Sequence, residues 1–320
     1  MTENTNKEII NMADVDVEEI RWLWYPYIPY GKCTILQGDP GCGKTMLALN
    51  LAARLSNGYG MPFASAEPEE PIHILYQTSE DGIGDTIKPR LIAAGANCNN
   101  IRVINEENHP LHFDDERIEK AIVSENAKLL ILDPLSAYIG ENVNLNQAID
   151  VRSAFRKIYA VAQRTKCAVL IVSHMNKANG ISALYRTNGS IDICGAVRSI
   201  LTVCEDREEK DKRYLVPVKS NLAEKGDAII FRLSDHIEWL ESRAVTADEL
   251  LSSFGSSRDT KQGQAEEEML ALLSEEDKPA YEIYQHFEKL GISKRTVENA
   301  KKSLGVKSHR KSKVWMWSLE

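Results

Sequence analysis

The chain has 320 residues, 43% of them hydrophobic and 27% charged, and a formal net charge of -8. That length holds one large α/β core plus something smaller, and the acidic balance argues against a protein that coats nucleic acid over its whole surface. No apolar run approaches a membrane span, Met1 to Glu19 lacks the apolar core of a signal peptide, and the six cysteines are scattered without a C-x-x-C pair. A cytoplasmic protein with reduced thiols and no membrane partner is expected.

Residues 1–20 read as a tail or a loosely packed first helix. Trp22, Trp24, Tyr25, Tyr27 and Tyr30 then crowd a strap broken by Pro26 and Pro29, so it is not a long helix. Such a strap either covers the base of a nucleotide or plugs the edge of a sheet.

Next, the apolar run Cys33-Thr34-Ile35-Leu36 leads into Gly38-Asp39-Pro40-Gly41-Cys42-Gly43-Lys44-Thr45, and an alanine-rich helix beginning with Met46 follows. This is G-x-x-x-x-G-K-[ST] in the strand-to-helix setting that a P-loop requires. Its backbone amides converge on phosphate at the positive end of a helix. Gly38 through Met46 are expected to hold ATP, with Lys44 on the β- and γ-phosphates and Thr45 on Mg²⁺.

The strand Ile72–Tyr76 runs into Gln77-Thr78-Ser79-Glu80-Asp81-Gly82. Acidic residues at the C-terminal end of a parallel strand lie where open α/β sheets bind ligands, so Glu80 is the candidate to orient and deprotonate the attacking water. The other reading is that Glu80 and Asp81 only cap the helix leading to Arg90. Ile101–Ile104 is a further strand; His109 and His112 lack a cysteine pair to complete a metal site.

Lys128–Leu132 is a buried strand ending on Asp133, the Walker B pattern, which places a carboxylate near Thr45 to hold Mg²⁺. A helix spans Ala148–Arg164 with Val151, Phe155, Ile158 and Val161 inward, and the strand Ala168–Val172 ends on Ser173-His174. His174 is either a sensor of the γ-phosphate or structural. Asn176–Ser190, with Lys177 and Arg186, is a loop for a polyanion or a solvated linker. A helix from Ile191 through Ser199 bears Arg198, and antiparallel strands follow from Ile200 to Leu233.

Ser252–Gly263 is a linker by composition. Beyond it three helices are expected: Gln264–Ser274 with Met269, Leu270, Leu272 and Leu273 inward, Pro279–Leu290 with Ile283, Tyr284 and Phe287 inward, and Lys294–Leu304 capped by Ser293. Two short strands flank a basic turn. This resembles a winged helix-turn-helix domain, with Lys294, Arg295, Lys301 and Lys302 on the third helix and Arg310, Lys311 and Lys313 on the wing. So many cations in an acidic protein are the footprint of DNA phosphate contacts. The other reading is a protein-docking module with a solvated basic face.

The motif order P-loop, strand-Ser-Glu-Asp, strand-Asp, strand-Ser-His, then Arg and Lys-Ser-Asn resembles the RecA-fold ATPases of the RepA type, hexameric replication helicases and their relatives on plasmids, phages and mobile elements, over about Trp22 to Leu233. The resemblance implies that Lys44 and Thr45 hold phosphate and Mg²⁺, Asp133 is the Walker B acid, Glu80 the base and His174 the sensor. It also implies that Arg198 or Lys219 enters a neighbouring subunit's site, and hence an oligomer, a hexameric ring.

The expected architecture is therefore a tail over residues 1–20, a RecA-like α/β domain over 21–250 with a mostly parallel sheet and antiparallel edge strands, a linker over 251–263 and a winged helix over 264–320. The expected activity is Mg·ATP hydrolysis in a DNA-associated motor or initiation ATPase. The alternatives are a nucleotide-gated DNA-binding regulator or loader with slow turnover, and a kinase using the same P-loop.

Overall fold

Apolar runs without helical period, such as Leu129–Leu132 and Ala168–Val172, satisfy their backbone in a sheet covered on both faces. The structure, a computed structural model, shows that sheet; it describes residues 9–64, 70–107, 109–140, 143, 147–174, 191–206, 208–245, 261–274, 277–311 and 314–319. The chain divides into two compact units, Met1–Leu250 and Leu251–Glu320.

In the first unit a ribbon of β1 (Trp22–Trp24) and β2 (Ile28–Pro29) precedes β3 (Cys33–Gly38) and α1 (Lys44–Ser56). Then come β4 (Ile74–Thr78), a π-helical turn over Ile83–Ile87, α2 (Lys88–Ala93), β5 (Ile101–Arg102), α3 (Glu116–Ser124), β6 (Leu129–Asp133), α4 (Leu135–Tyr138), α5 (Ala148–Thr165) and β7 (Ala168–His174). The unit closes with α6 (Ile191–Ala196), β8 (Ser199–Glu205), β9 (Lys212–Ser220), β10 (Ala228–Leu233) and β11 (Ile237–Arg243).

The sheet order is β11-β10-β9-β8-β3-β7-β6-β4-β5. From β8 to β5 all neighbours are parallel, and β9, β10 and β11 add an antiparallel meander, as the sequence leads one to expect. Alternate strand residues bury opposite faces: Leu36, Tyr76, Ile131 and Leu170 join α1 residues Leu47 and Leu51 in one core. Ile35, Leu130 and Val169 are buried on the other face, where α5 crosses β3 and contributes Phe155 and Ile158 to the core. Register then fixes the site: Gly38 pairs with His174, and Thr78 with Asp133, so the tips of β3, β7, β4 and β6 share one edge.

Several expectations change. The strap lies at the opposite edge, where Gly31 N–H donates to the Cys167 carbonyl before β7 begins. Trp24 and Tyr27 are buried there; Trp24 Nε1 donates to the Pro62 carbonyl at 3.2 Å and the Tyr27 hydroxyl to the Asp227 carbonyl at 2.9 Å. It plugs the sheet and does not cover a nucleotide base beside the P-loop. The strand expected over Ile101–Ile104 stops at Arg102 because the Gln77 side chain takes over the pairing, accepting from Ile104 N–H at 2.6 Å and donating to its carbonyl at 3.1 Å. The helix expected to carry Arg198 ends at Ala196, since the Ser199–Val203 run is drawn into the sheet beside β3. The edge strand β11, rich in charge, has no sequence signature.

The second unit consists of α7 (Lys261–Leu273), β12 (Lys278–Pro279), α8 (Ala280–Lys289), α9 (Lys294–Ser303), β13 (Lys307–Lys311) and β14 (Val314–Ser318), its antiparallel sheet ordered β12-β14-β13. Ser293 caps α9, its Oγ accepting from Thr296 N–H at 3.3 Å. Ala265, Met269 and Leu273 form the inner stripe of α7 at four-residue spacing, which leaves Leu270 exposed, against expectation.

Candidate nucleotide site

The P-loop follows β3 through glycines that nothing larger replaces. A Cβ on Gly38 would stand 2.7 Å from the Val203 carbonyl oxygen, and Gly43, at φ +95°, would collide with Leu233 Cδ2. α1 starts without a side-chain cap, so its first amides suit an anion. Lys44 is buried in the curl of the loop, its Nζ donating to the carbonyls of Gly38 at 3.0 Å and Asp39 at 2.9 Å, while Asp39, Pro40 and Gly41 face solvent. Cys42 is buried beneath them, and burial pushes its thiol pKa up.

Thr45 Oγ1 donates to Asp133 Oδ2 at 2.7 Å, and the Tyr76 hydroxyl donates to the same oxygen at 3.2 Å. Burial raises the Asp133 carboxyl above the usual carboxylate range; these two hydrogen bonds oppose the rise, Glu80 adds to it and Lys44 counters it. A hydroxyl and a carboxylate are hard oxygen donors of the kind that suits Mg²⁺. Both the donor set and the amide cradle thus fit a magnesium nucleotide.

The structure separates the two acids that follow β4. Asp81 Oδ2 accepts from Arg90 Nη1 at 2.8 Å, so it ties the strand tip to α2, whereas Glu80 is exposed and close enough to raise the Asp133 pKa. His174, beside Gly38, has a buried Nδ1 with no hydrogen-bond partner among the described residues, the kind of group that a ligand satisfies.

A sequence model for the AAA domain matches residues 5–180, more than half of the chain. The chain belongs to the AAA domain family. The relatives of this AAA chain include the DNA repair protein RadA of Halalkalibacterium halodurans, 24% identical over 224 residues that cover 69% of this chain and 43% of that protein. Another is RadA of Aquifex aeolicus, 22% identical over 209 residues, 64% of this chain and 40% of that one. The AAA chain therefore spans less than half the length of these relatives. Among solved structures, a KaiC-like protein from Pyrococcus horikoshii OT3 superposes with a TM-score of 0.49 at 16% identity, covering 69% of this chain and 100% of that one.

Arg198 and Lys219 sit elsewhere on the AAA chain. Ser199 pairs with Thr34, at the start of β3, and Lys219 pairs with Ile200, so both cations lie at the sheet edge opposite Lys44. Arg198 is exposed; Lys219 Nζ donates to the Cys194 carbonyl at 2.5 Å, and burial, with Arg198 nearby, lowers its pKa. Neither reaches its own chain's P-loop.

Lys177, Arg186 and Lys313 lie outside the described residues. Within the second unit Arg295, Lys302, Arg310 and Lys311 are exposed. Lys301 is partly engaged, its Nζ 4.1 Å from the Trp317 ring centroid and 2.6 Å from Ser308 Oγ, and Lys294 Nζ stands 4.8 Å from the Tyr284 ring centroid.

Two residues of the nucleotide site escape sequence reading. Tyr76 is a polar-tipped aromatic in an aliphatic strand, which is a weak signal that its hydroxyl has a buried partner. Arg213, itself buried, donates from Nε to the Cys42 carbonyl at 3.1 Å and pairs with Glu205 at 3.2 Å, holding the P-loop from behind. Nothing local marks it, because 171 residues separate it from Cys42.

Proposed function

We propose that this chain is an ATP-hydrolysing, DNA-associated ATPase that works as an oligomer. The observation that carries this reading is the alignment of four strand tips on one edge, which groups Lys44, the Thr45–Asp133 pair, Glu80 and His174. Lys44 and the P-loop amides would hold the triphosphate, and Thr45 and Asp133 would hold Mg²⁺, which when bound neutralises charge on the phosphate oxygens. Glu80 orients a water for in-line attack and accepts its proton. His174 Nδ1 reads the γ-phosphate.

DNA association is supported by the RadA names of the relatives and by the exposed Arg295, Lys302, Arg310 and Lys311. The helix-strand-helix-helix-strand-strand order of the second unit supports a winged helix. The order of motifs supports a RepA-like replicative helicase of a plasmid, prophage or other mobile element, working as a hexameric ring. Strand unwinding coupled to turnover distinguishes that form from a nucleotide-gated regulator, which binds DNA without unwinding.

Glu80→Gln tests the chemistry. The variant is expected to bind ATP with the affinity of the parent and to lose turnover by at least about 100-fold, measured by nucleotide titration and phosphate release. Turnover at the parental rate would remove Glu80 from the mechanism.

A further inference from the structure

At the sheet edge opposite the P-loop, a cleft of about 580 Å³ opens between α5, the start of β8 and the turn after β9. Lys32, Arg152, Arg156 and Arg198 line it, with Gln163 and Asn221 as neutral hydrogen-bonding groups, and its described lining holds no carboxylate. Four cations in one concavity run against the composition of a chain with net charge -8.

α5 sorts its cations by face. Lys157 and Arg164 are neutralised by Asp114 and Glu119, each at 2.6 Å. Arg152 and Arg156 stand one turn apart on the cleft side, both exposed, and like charges at that spacing weaken a helix. Among the described residues, neither Arg156 nor Arg198 forms an ion pair. A polyanion in the cleft would supply Arg156 and Arg198 with a counter-charge. Guanidinium forks match phosphate oxygens in pairs, and a concave site admits a flexible strand while a rigid duplex touches only its lips.

We propose that this cleft binds the phosphodiester backbone of single-stranded nucleic acid, with Arg152 and Arg156 as phosphate contacts and Gln163 and Asn221 as hydrogen-bonding groups beside them. The proposal rests on the DNA-associated reading above and places a contact surface on the ATPase unit, separate from the basic face of the second unit.

The test is fluorescence anisotropy of labelled oligo(dT) and of a duplex with the full chain, across a salt series. Arg152→Ala/Arg156→Ala is compared with Arg295→Ala/Lys302→Ala, and Arg156→Glu serves as a second cleft variant; thermal melts and ATP binding check folding. The cleft variant is expected to bind the single strand about tenfold more weakly, with a log–log salt slope smaller by about 1.4, as loss of two phosphate contacts requires. Its duplex binding stays at the parental level. Parental single-strand affinity and slope in both cleft variants would overturn the proposal. So would unchanged DNA binding with lost ATP turnover that returns on mixing with Lys44→Ala chains, because Arg152 and Arg156 would then act with Arg198 at a neighbour's triphosphate and not on a nucleic-acid strand. A parent chain that binds no single strand even at low salt would instead sink the DNA-associated reading itself.

Discussion

Asp133 illustrates what the site costs the fold. The residue is 7% exposed and its carboxylate is held by Thr45 and Tyr76, yet burial dominates and its folded pKa is raised. The folded state therefore binds the proton more readily than the unfolded state. Above the raised folded pKa the group is charged in both states and its burial subtracts from stability in full; the penalty is relieved as pH falls through that folded pKa, and is gone below the unfolded value. Asp133→Asn is thus expected to raise the melting temperature at pH 7 by about 2–4 °C, for a gain of about 1 kcal/mol, while turnover is lost. Thermal melts at pH 7 and near the carboxylate range check this; the gain should shrink at the lower pH. A variant less stable than its parent at neutral pH would mean that the two hydrogen bonds outweigh desolvation.

Among the elements, the strap and the P-loop divide the two ends of β3 between them. One end is stability: Trp24, 1% exposed, packs on Tyr27 at 4.7 Å and on Trp239 at 6.3 Å between ring centroids. The other end is chemistry, where the glycines and Arg213 shape the loop. Trp24→Ala is expected to destabilise the chain by about 3–5 kcal/mol, the range for a buried large aromatic. ATP affinity, measured in the absence of denaturant, should change by less than about twofold, since the cavity opens at the far edge. Urea unfolding and nucleotide titration give the two numbers. A selective loss of nucleotide affinity would return the strap to the role of a base cover.

At the scale of the whole molecule, the first unit has two unlike edges. Lys44, Glu80 and Asp133 lie on one, and Arg198 and Lys219 on the other, so cations proposed to complete the nucleotide site must come from another copy in a head-to-tail arrangement. Lys44→Ala and Arg198→Ala chains are each expected to be inactive. An equal mixture, after exchange of subunits, should recover about a quarter of parental turnover, because one junction in four then joins an intact P-loop to an intact Arg198. Phosphate release from the mixture measures this. A mixture as inactive as its components would leave Arg198 without a role between subunits.

The sequence by itself determined the P-loop, the strands that end on Asp133 and His174, and most helices of both units, because each is written in a short stretch: glycine spacing, an apolar run or a helical period. Glu80 was the candidate base at that level, with helix capping by Glu80 and Asp81 as the other reading; only the contact with Arg90 showed that Asp81 is the one tied to α2. Tertiary structure alone decided the strand order, the edge on which each side chain falls, the plugging role of the strap, and the partnership of Arg213 with Cys42. The physical reason is distance along the chain. Register and sheet order join residues more than a hundred positions apart, and no local propensity encodes which run of apolar residues will lie beside which.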